Sequence, residues 1–390
     1  MNTSFTPADL SPASTDLSPA SLADSCPASS AGPHPLAPYG WDEHWAAAFA
    51  PYTGRGLLPG RVVRVARGRC DLVTPAGPVR VGTGRLVPRD PAEAVCTGDW
   101  AAVDPDGDPR PVRALLPRRT AFVRSTSSER SEGQVLAANI DHAVVCVPLT
   151  GDLPLARIER FLALAWESGA RPLVALTEAD QVTDPVVLAH LVQDVEAAAP
   201  GVPVLPVSSL TGGGLDTLAA CLAAGTSVLL GQSGAGKSTL VNALLGERAR
   251  DVGAVRDADG KGRHTTTSRD LLVLPAGGVL IDTPGLRGVG LWDAGDGVGQ
   301  VFAEIADLAA RCRFHDCAHE REPGCAVLAA VDAGDLPVRR LESYRKLMRE
   351  NERIAARSDA RLRAERRRAW RRRDAEGRAA VAVKRGRPYR

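Results

Sequence analysis

A chain of 390 residues, 44% apolar and 4% aromatic, is long enough for two or three domains, each burying its own core. Its 48 basic and 46 acidic residues leave a formal charge of +2, which excludes a protein basic throughout but not one with segregated charge. Without a long apolar run, a basic apolar leader or a dense disulfide framework among its 8 cysteines, the chain is expected to be soluble and cytoplasmic, with no membrane contact.

Residues 1–40 are rich in Ser, Pro, Ala and Asp and poor in large apolar side chains. Such a segment cannot bury enough surface to offset its ordering entropy, so a disordered tail is expected there. Residues 41–120 read as a small β-barrel. Arg61-Val62-Val63-Arg64-Val65, Val79-Arg80-Val81 and Trp100-Ala101-Ala102-Val103 are short β-rich runs, and Pro105-Asp106-Gly107-Asp108 is a turn between such runs. Arginines such as Arg61, Arg64, Arg69 and Arg80 decorate it, as either a nucleic-acid surface or an ordinary solvated exterior. Residues 121–295 alternate apolar strands (Ala143–Val147, Pro172–Leu176, Val204–Val207, Ser227–Leu230) with helical spacing such as Ile158, Phe161, Leu162 and Ala165. That alternation predicts a parallel sheet covered on both faces. Residues 296–356 carry a Cys/His cluster and a helix over Leu341, Tyr344 and Met348. Residues 357–390 are an arginine-rich tail in which Arg366–Arg368 and Arg371–Arg373 flank Trp370, an arrangement suited to neutralising phosphates while one indole stacks.

Gly231-Gln232-Ser233-Gly234-Ala235-Gly236-Lys237-Ser238 matches the phosphate-loop pattern, follows a strand and opens a helix at Thr239. Its glycines let backbone amides and a helix N-terminus face phosphates. Lys237 reaches the β- and γ-phosphates, and the Ser238 hydroxyl is a magnesium ligand. A later strand delivers Asp282-Thr283-Pro284-Gly285, with Asp282 expected near the magnesium and the Gly285 amide near the γ-phosphate. Between them Gly260–Thr267 reads as a mobile loop giving a hydroxyl to the metal, and Thr266 is chosen over Thr265.

A guanine-reading motif is absent after Gly285 but present upstream. One strand runs into Thr177-Glu178-Ala179-Asp180, and another into Ser208-Ser209-Leu210-Thr211-Gly212. Asp180 would accept hydrogen bonds from guanine N1 and N2, which adenine does not offer, while Thr177 and Ser208 complete the loops. As a lone residue Asp180 would read as a helix N-cap.

The order base-reader, Ser-Ser loop, phosphate loop, switch, Asp-Thr-Pro-Gly is a circular permutation of the usual GTPase. Over roughly Gly56 to Arg353 it resembles the ribosome small-subunit-dependent GTPase A family of bacteria, including the Gly262–Thr267 string Gly-Arg-His-Thr-Thr-Thr. The resemblance implies an OB-fold barrel, a permuted α/β GTPase domain and a helical zinc domain. It also implies GTP hydrolysis with magnesium, stimulated by the small ribosomal subunit and its rRNA late in maturation. The chain departs from the family at Glu178, where a lysine is usual.

Cys312, Cys317, His319 and Cys325 give C-x4-C-x-H-x5-C, enough for one closed, structural Cys3His zinc site. By spacing, His315 is equally able to serve; the resemblance favours His319. Leu286 stands where many GTPases carry a water-positioning glutamine, and an apolar side chain cannot orient water. His264 in the switch loop is the candidate, matching a family histidine; a role in RNA contact is the alternative. The chain is therefore expected to be a monomeric GTPase. The alternatives are an rRNA-binding assembly protein with a vestigial GTPase and a phosphate-loop ATPase or kinase.

Overall fold

The computed structural model describes residues 33–66, 68–82, 93–106, 110–125, 133–246, 269–282 and 295–358. Five short strands come first: β1 (Leu58–Ala66), β2 (Arg69–Thr74), β3 (Gly77–Gly82), β4 (Trp100–Val103) and β5 (Arg110–Leu115). They lie in the order β1-β2-β3-β5-β4 and close through β4 against β1. β3 and β5 run parallel and the other pairs antiparallel, the Greek-key arrangement of an OB barrel. Alternation does the folding: in β2, Cys70, Leu72 and Thr74 are buried, and Cys70 and Leu72 meet Val62, Val81 and Val112.

Helix α1 (Glu43–Thr53) caps this barrel. Asp42 accepts the Trp45 amide at 2.9 Å, so the helix starts where an Asx cap dictates. Trp45 and Phe49 then bury with Trp100 and Leu36. Leu36 is fully buried, so the expectation of a disordered segment running to residue 40 is too long at its end. Pro, Ala and Gly around Leu36 and Tyr39 hide those two anchors from a composition count.

A hairpin of β6 (Ala121–Ser125) and β7 (Gly133–Ala138) leads into the α/β part. There the strands are β8 (His142–Pro148), β9 (Arg171–Thr177), β10 (Val204–Pro206), β11 (Thr226–Leu230), β12 (Asp270–Val273) and β13 (Val279–Asp282), in the order β10-β9-β8-β11-β13-β12. All but β12 run parallel. Pleating sends Val145, Val147, Leu176 and Ile281 to one face, under α2 (Leu155–Glu167) and α3 (Pro185–Ala198). It sends Val144, Cys146, Ala175 and Leu280 to the other, under α4 (Leu215–Leu222) and α5 (Lys237–Leu245). β12 also pairs with β1, Arg64 opposite Asp270, so barrel and α/β sheet share one 11-stranded sheet.

The last described helices are α6 (Gly295–Val301), α7 (Ala303–Ala309), α8 (Ala326–Ala333) and α9 (Val338–Ser358). A Cβ on Gly297 would fall 2.1 Å from the Ala163 carbonyl oxygen, so α6 can lie this close to α2 only with glycine there. The partner of the Leu341–Tyr344–Met348 face is now visible: Leu341 joins the main core, and Tyr344 meets Phe302 edge-on at 5.6 Å and His319 at 6.4 Å.

Candidate nucleotide site and metal centre

Chain order fixes where the site lies. From β8 the chain steps outward to β9 and β10, then returns to place β11 on the other side of β8. An open parallel sheet forms its ligand crevice at the carboxyl ends of the strands where the order reverses, here between β8 and β11. The phosphate-loop residues follow β11 at this point.

Gly231 has φ 147, and a Cβ there would lie 2.7 Å from the Cys146 carbonyl oxygen, so the first loop residue has to be glycine. Gly234 and Gly236 also hold positive φ. Lys237 opens α5 and donates from Nζ to the carbonyls of Gly231 (2.8 Å) and Gln232 (2.5 Å). Ser233, Gly234, Ser238 and Thr239 are exposed around the loop, while Ala235 is buried beneath it.

The expected base-reading loops meet this one. Thr177, buried at the end of β9, donates to the Ala235 carbonyl at 3.2 Å. Asp180 accepts from Ser208 Oγ at 2.5 Å and from Gln181 Nε2 at 2.9 Å. The Ser208 bond, then the Gln181 bond, holds the Asp180 carboxyl below the usual range, so it stays an anion facing solvent. Asp282 follows Ile281, which sits beside Val228 of β11, and so ends β13 next to the phosphate loop. The remaining expected residues, His264, Thr266 and Gly285, lie outside the described residues, as does the arginine-rich tail from residue 359 on.

Two contacts had no signal in the sequence. Glu178 adopts φ 60 and accepts from Thr150 Oγ1 at 3.1 Å. Its Oε1 lies 3.8 Å from the Cβ position of Gly236, which puts a carboxylate beside the phosphate loop. Arg157 on α2 donates to Gln232 Oε1. Both link residues distant along the chain, although the departure at Glu178 marked that position as unusual. Cys70, Cys96 and Cys146 are thiols pushed up to about 12, chiefly by burial, and so are unreactive at neutral pH.

Cys312, Cys317, His319 and Cys325 converge, with all four ligand atoms within 4.8 Å of one another. Cys312 Sγ lies 3.8 Å from Cys325 Sγ and 3.6 Å from His319 Nδ1, and His319 Nδ1 lies 3.4 Å from Cys325 Sγ. A tetrahedron with metal–sulfur bonds near 2.3 Å and metal–nitrogen bonds near 2.0 Å has edges of about 3.5–3.8 Å, so this donor set fits a single metal ion. His315, in contrast, is exposed and outside the group.

Residues 115–292 match the family model described as RsgA GTPase. The chain is 73% identical over 351 residues to the small ribosomal subunit biogenesis GTPase RsgA of Streptomyces coelicolor, covering 90% of this chain and 96% of the relative. The chain belongs to the RsgA GTPase family. An RsgA of Opitutus terrae is 43% identical over 350 residues, covering 85% of this chain and 94% of that one. Among solved structures, YjeQ from Thermotoga maritima superposes with a TM-score of 0.57 at 25% identity, covering 76% of this chain and 98% of that chain. RsgA membership makes the chain a GTPase. Among the described residues no helix is long and apolar enough to cross a membrane.

Proposed function

We propose that this GTPase acts in late maturation of the small ribosomal subunit, that the subunit and its rRNA stimulate it, and that it works as a monomer in the cytoplasm. One observation supports the nucleotide site most: Thr177, Asp180, Ser208, the Gly231–Ser238 loop and Asp282 all stand at the carboxyl ends of neighbouring strands around one crevice.

In this reading, amides of Gly231 to Gly236 and the α5 N-terminus cradle the phosphates, and Lys237 neutralises charge on the transferring phosphoryl group. Magnesium, when bound with GTP, spreads the charge developing between the β- and γ-phosphates. Ser238, Thr266 and Asp282 are the residues that would hold it. The Asp180 carboxylate, fixed by Ser208, accepts from guanine N1 and N2; adenine would leave it without donors. The Gly285 amide senses the γ-phosphate, and His264 positions the attacking water. Zinc is the metal that suits the Cys3His set, and four protein ligands leave it no open position for chemistry.

Phosphate release from GTP and from ATP, with and without purified small subunits, tests the reading. Marked stimulation with GTP alone is expected. Equal turnover of ATP would overturn it. A second reading, an rRNA-binding protein with a weak GTPase, is favoured by the Glu178 carboxylate beside Gly236, since negative charge there opposes a phosphate. Subunit binding without turnover would establish it.

A further inference from the structure

Beside the nucleotide crevice, a groove of about 520 Å³ opens between the start of α2 and the side of α9 that faces it. Its walls carry Arg157 and Arg160 from one helix and Arg339 and Lys346 from the other, with no acidic side chain among the lining residues. Positions 339, 343 and 346 recur at helical spacing, so α9 presents one continuous stripe to the groove. Glu159 and Glu350, the nearby carboxylates, are already engaged: Glu159 lies buried with Arg339 and Arg340, and Glu350 pairs with Arg160. Arg157 spends one donor on a neutral amide, Gln232. Lys346 is exposed and forms no ion pair among the described residues. The groove thus offers cationic charge that the protein itself does not neutralise.

We propose that this groove binds the phosphodiester backbone of RNA on the small subunit. The inference rests on the ribosomal reading above and adds to it a docking surface between the nucleotide and metal-binding parts. Charge complementarity argues for RNA: Arg157 and Lys346, the two lining cations without a carboxylate partner among the described residues, border the groove from opposite helices and suit an anion between them. An exposed lysine acts as a mobile point charge and reads no sequence, which suits a backbone contact. Arg157 gives the groove an edge on the phosphate loop through Gln232, so RNA seated there lies next to the nucleotide site.

The test uses the full chain and purified small ribosomal subunits, co-sedimented with a non-hydrolysable GTP analogue over a range of KCl. Lys346→Glu is expected to weaken binding about tenfold and to make the log affinity against log salt slope shallower by about 1. Lys346→Arg should track the wild type. As an exposed position outside the nucleotide machinery, Lys346→Glu should leave subunit-free phosphate release and thermal unfolding unchanged. Equal affinity and equal slope in the wild type and Lys346→Glu would overturn the groove. Weaker binding with an unchanged slope would overturn RNA as the occupant in favour of a protein. A wild-type chain that fails to sediment with subunits overturns the ribosomal reading itself, and the groove with it, an outcome distinct from the other two.

Discussion

The nucleotide domain is gripped on two sides, and the two grips are built differently. On the barrel side the contact is spread over separate backbone and side-chain bonds. β1 pairs with β12, the Ala138 amide donates to the Thr97 carbonyl at 3.1 Å, and Asn139, held at φ 57, donates to the Gly98 carbonyl at 3.0 Å. Buried Arg61 adds a bond to Thr226 at 2.9 Å, its guanidinium lying 4.8 Å from the Trp100 ring centroid. Burial lowers Arg61 to about 10, with Asp99 and Asp141 opposing the shift, so it remains a cation at neutral pH. On the metal-binding side a single carboxylate does most of the work. Glu159 is fully buried on α2 and accepts from Arg339 and Arg340, each at 2.8 Å, and from Ser343. Separate small contacts spread the energy of a seam so that no one substitution removes it. A buried charge network concentrates it where one substitution is felt.

Breaking that network should have the largest effect. Glu159→Ala leaves Arg340 inside the protein with Glu304, two carbonyls and the Phe302 ring as its partners among the described residues. Removing one partner of a buried ion pair costs about 3–5 kcal/mol, softened towards the lower figure by the carboxylate that stays. Hydrogen exchange along α9 should accelerate by about a hundredfold, while the barrel strands keep their protection. Unchanged exchange in α9 would show that the helix is held by its apolar face alone.

This division was only partly legible in the sequence. The phosphate loop, Asp180 and the Cys3His set follow spacing rules set by chemistry, and strand–helix alternation carries the sheet, so each could be read locally. Leu36 could not, because a lone leucine among Pro, Ala and Gly has no periodicity. Neither could the seams. Arg64 and Asp270, or Glu159 and Arg340, meet across long stretches of chain, and nothing in a single sequence couples them. The expected domain border near 120 separates strands that β1 and β12 join into one sheet.

A gentler challenge to the barrel side is Gly98→Ala. Gly98 holds φ 94, and a Cβ there would fall 2.2 Å from the Ala138 carbonyl oxygen. Both the left-handed backbone and the contact with rigid main chain oppose a side chain, for a loss of about 2–3 kcal/mol. Exchange should rise in β1 and β12 and not in α9, the reverse of the pattern for Glu159→Ala. A loss below about 0.5 kcal/mol would mean that the hairpin end slides to make room, and that the other contacts hold the seam without it.

The smallest effect belongs to the ion pair that joins β1 to β12. Arg64 Nε donates to Asp270 Oδ1 at 2.5 Å where their strands pair, but the arginine side chain keeps 21% exposure. Solvent screens such a pair, and the backbone bonds around it remain after truncation. Arg64→Ala is therefore expected to cost about 1 kcal/mol or less in urea unfolding, and the difference from wild type should shrink in 1 M salt, where the screening length falls to about 3 Å. Were the loss to match that of Glu159→Ala, the contrast between a distributed and a concentrated seam would collapse. β12 would then depend on one salt bridge. That outcome would matter for catalysis too, since β12 begins directly after the segment carrying His264 and Thr266.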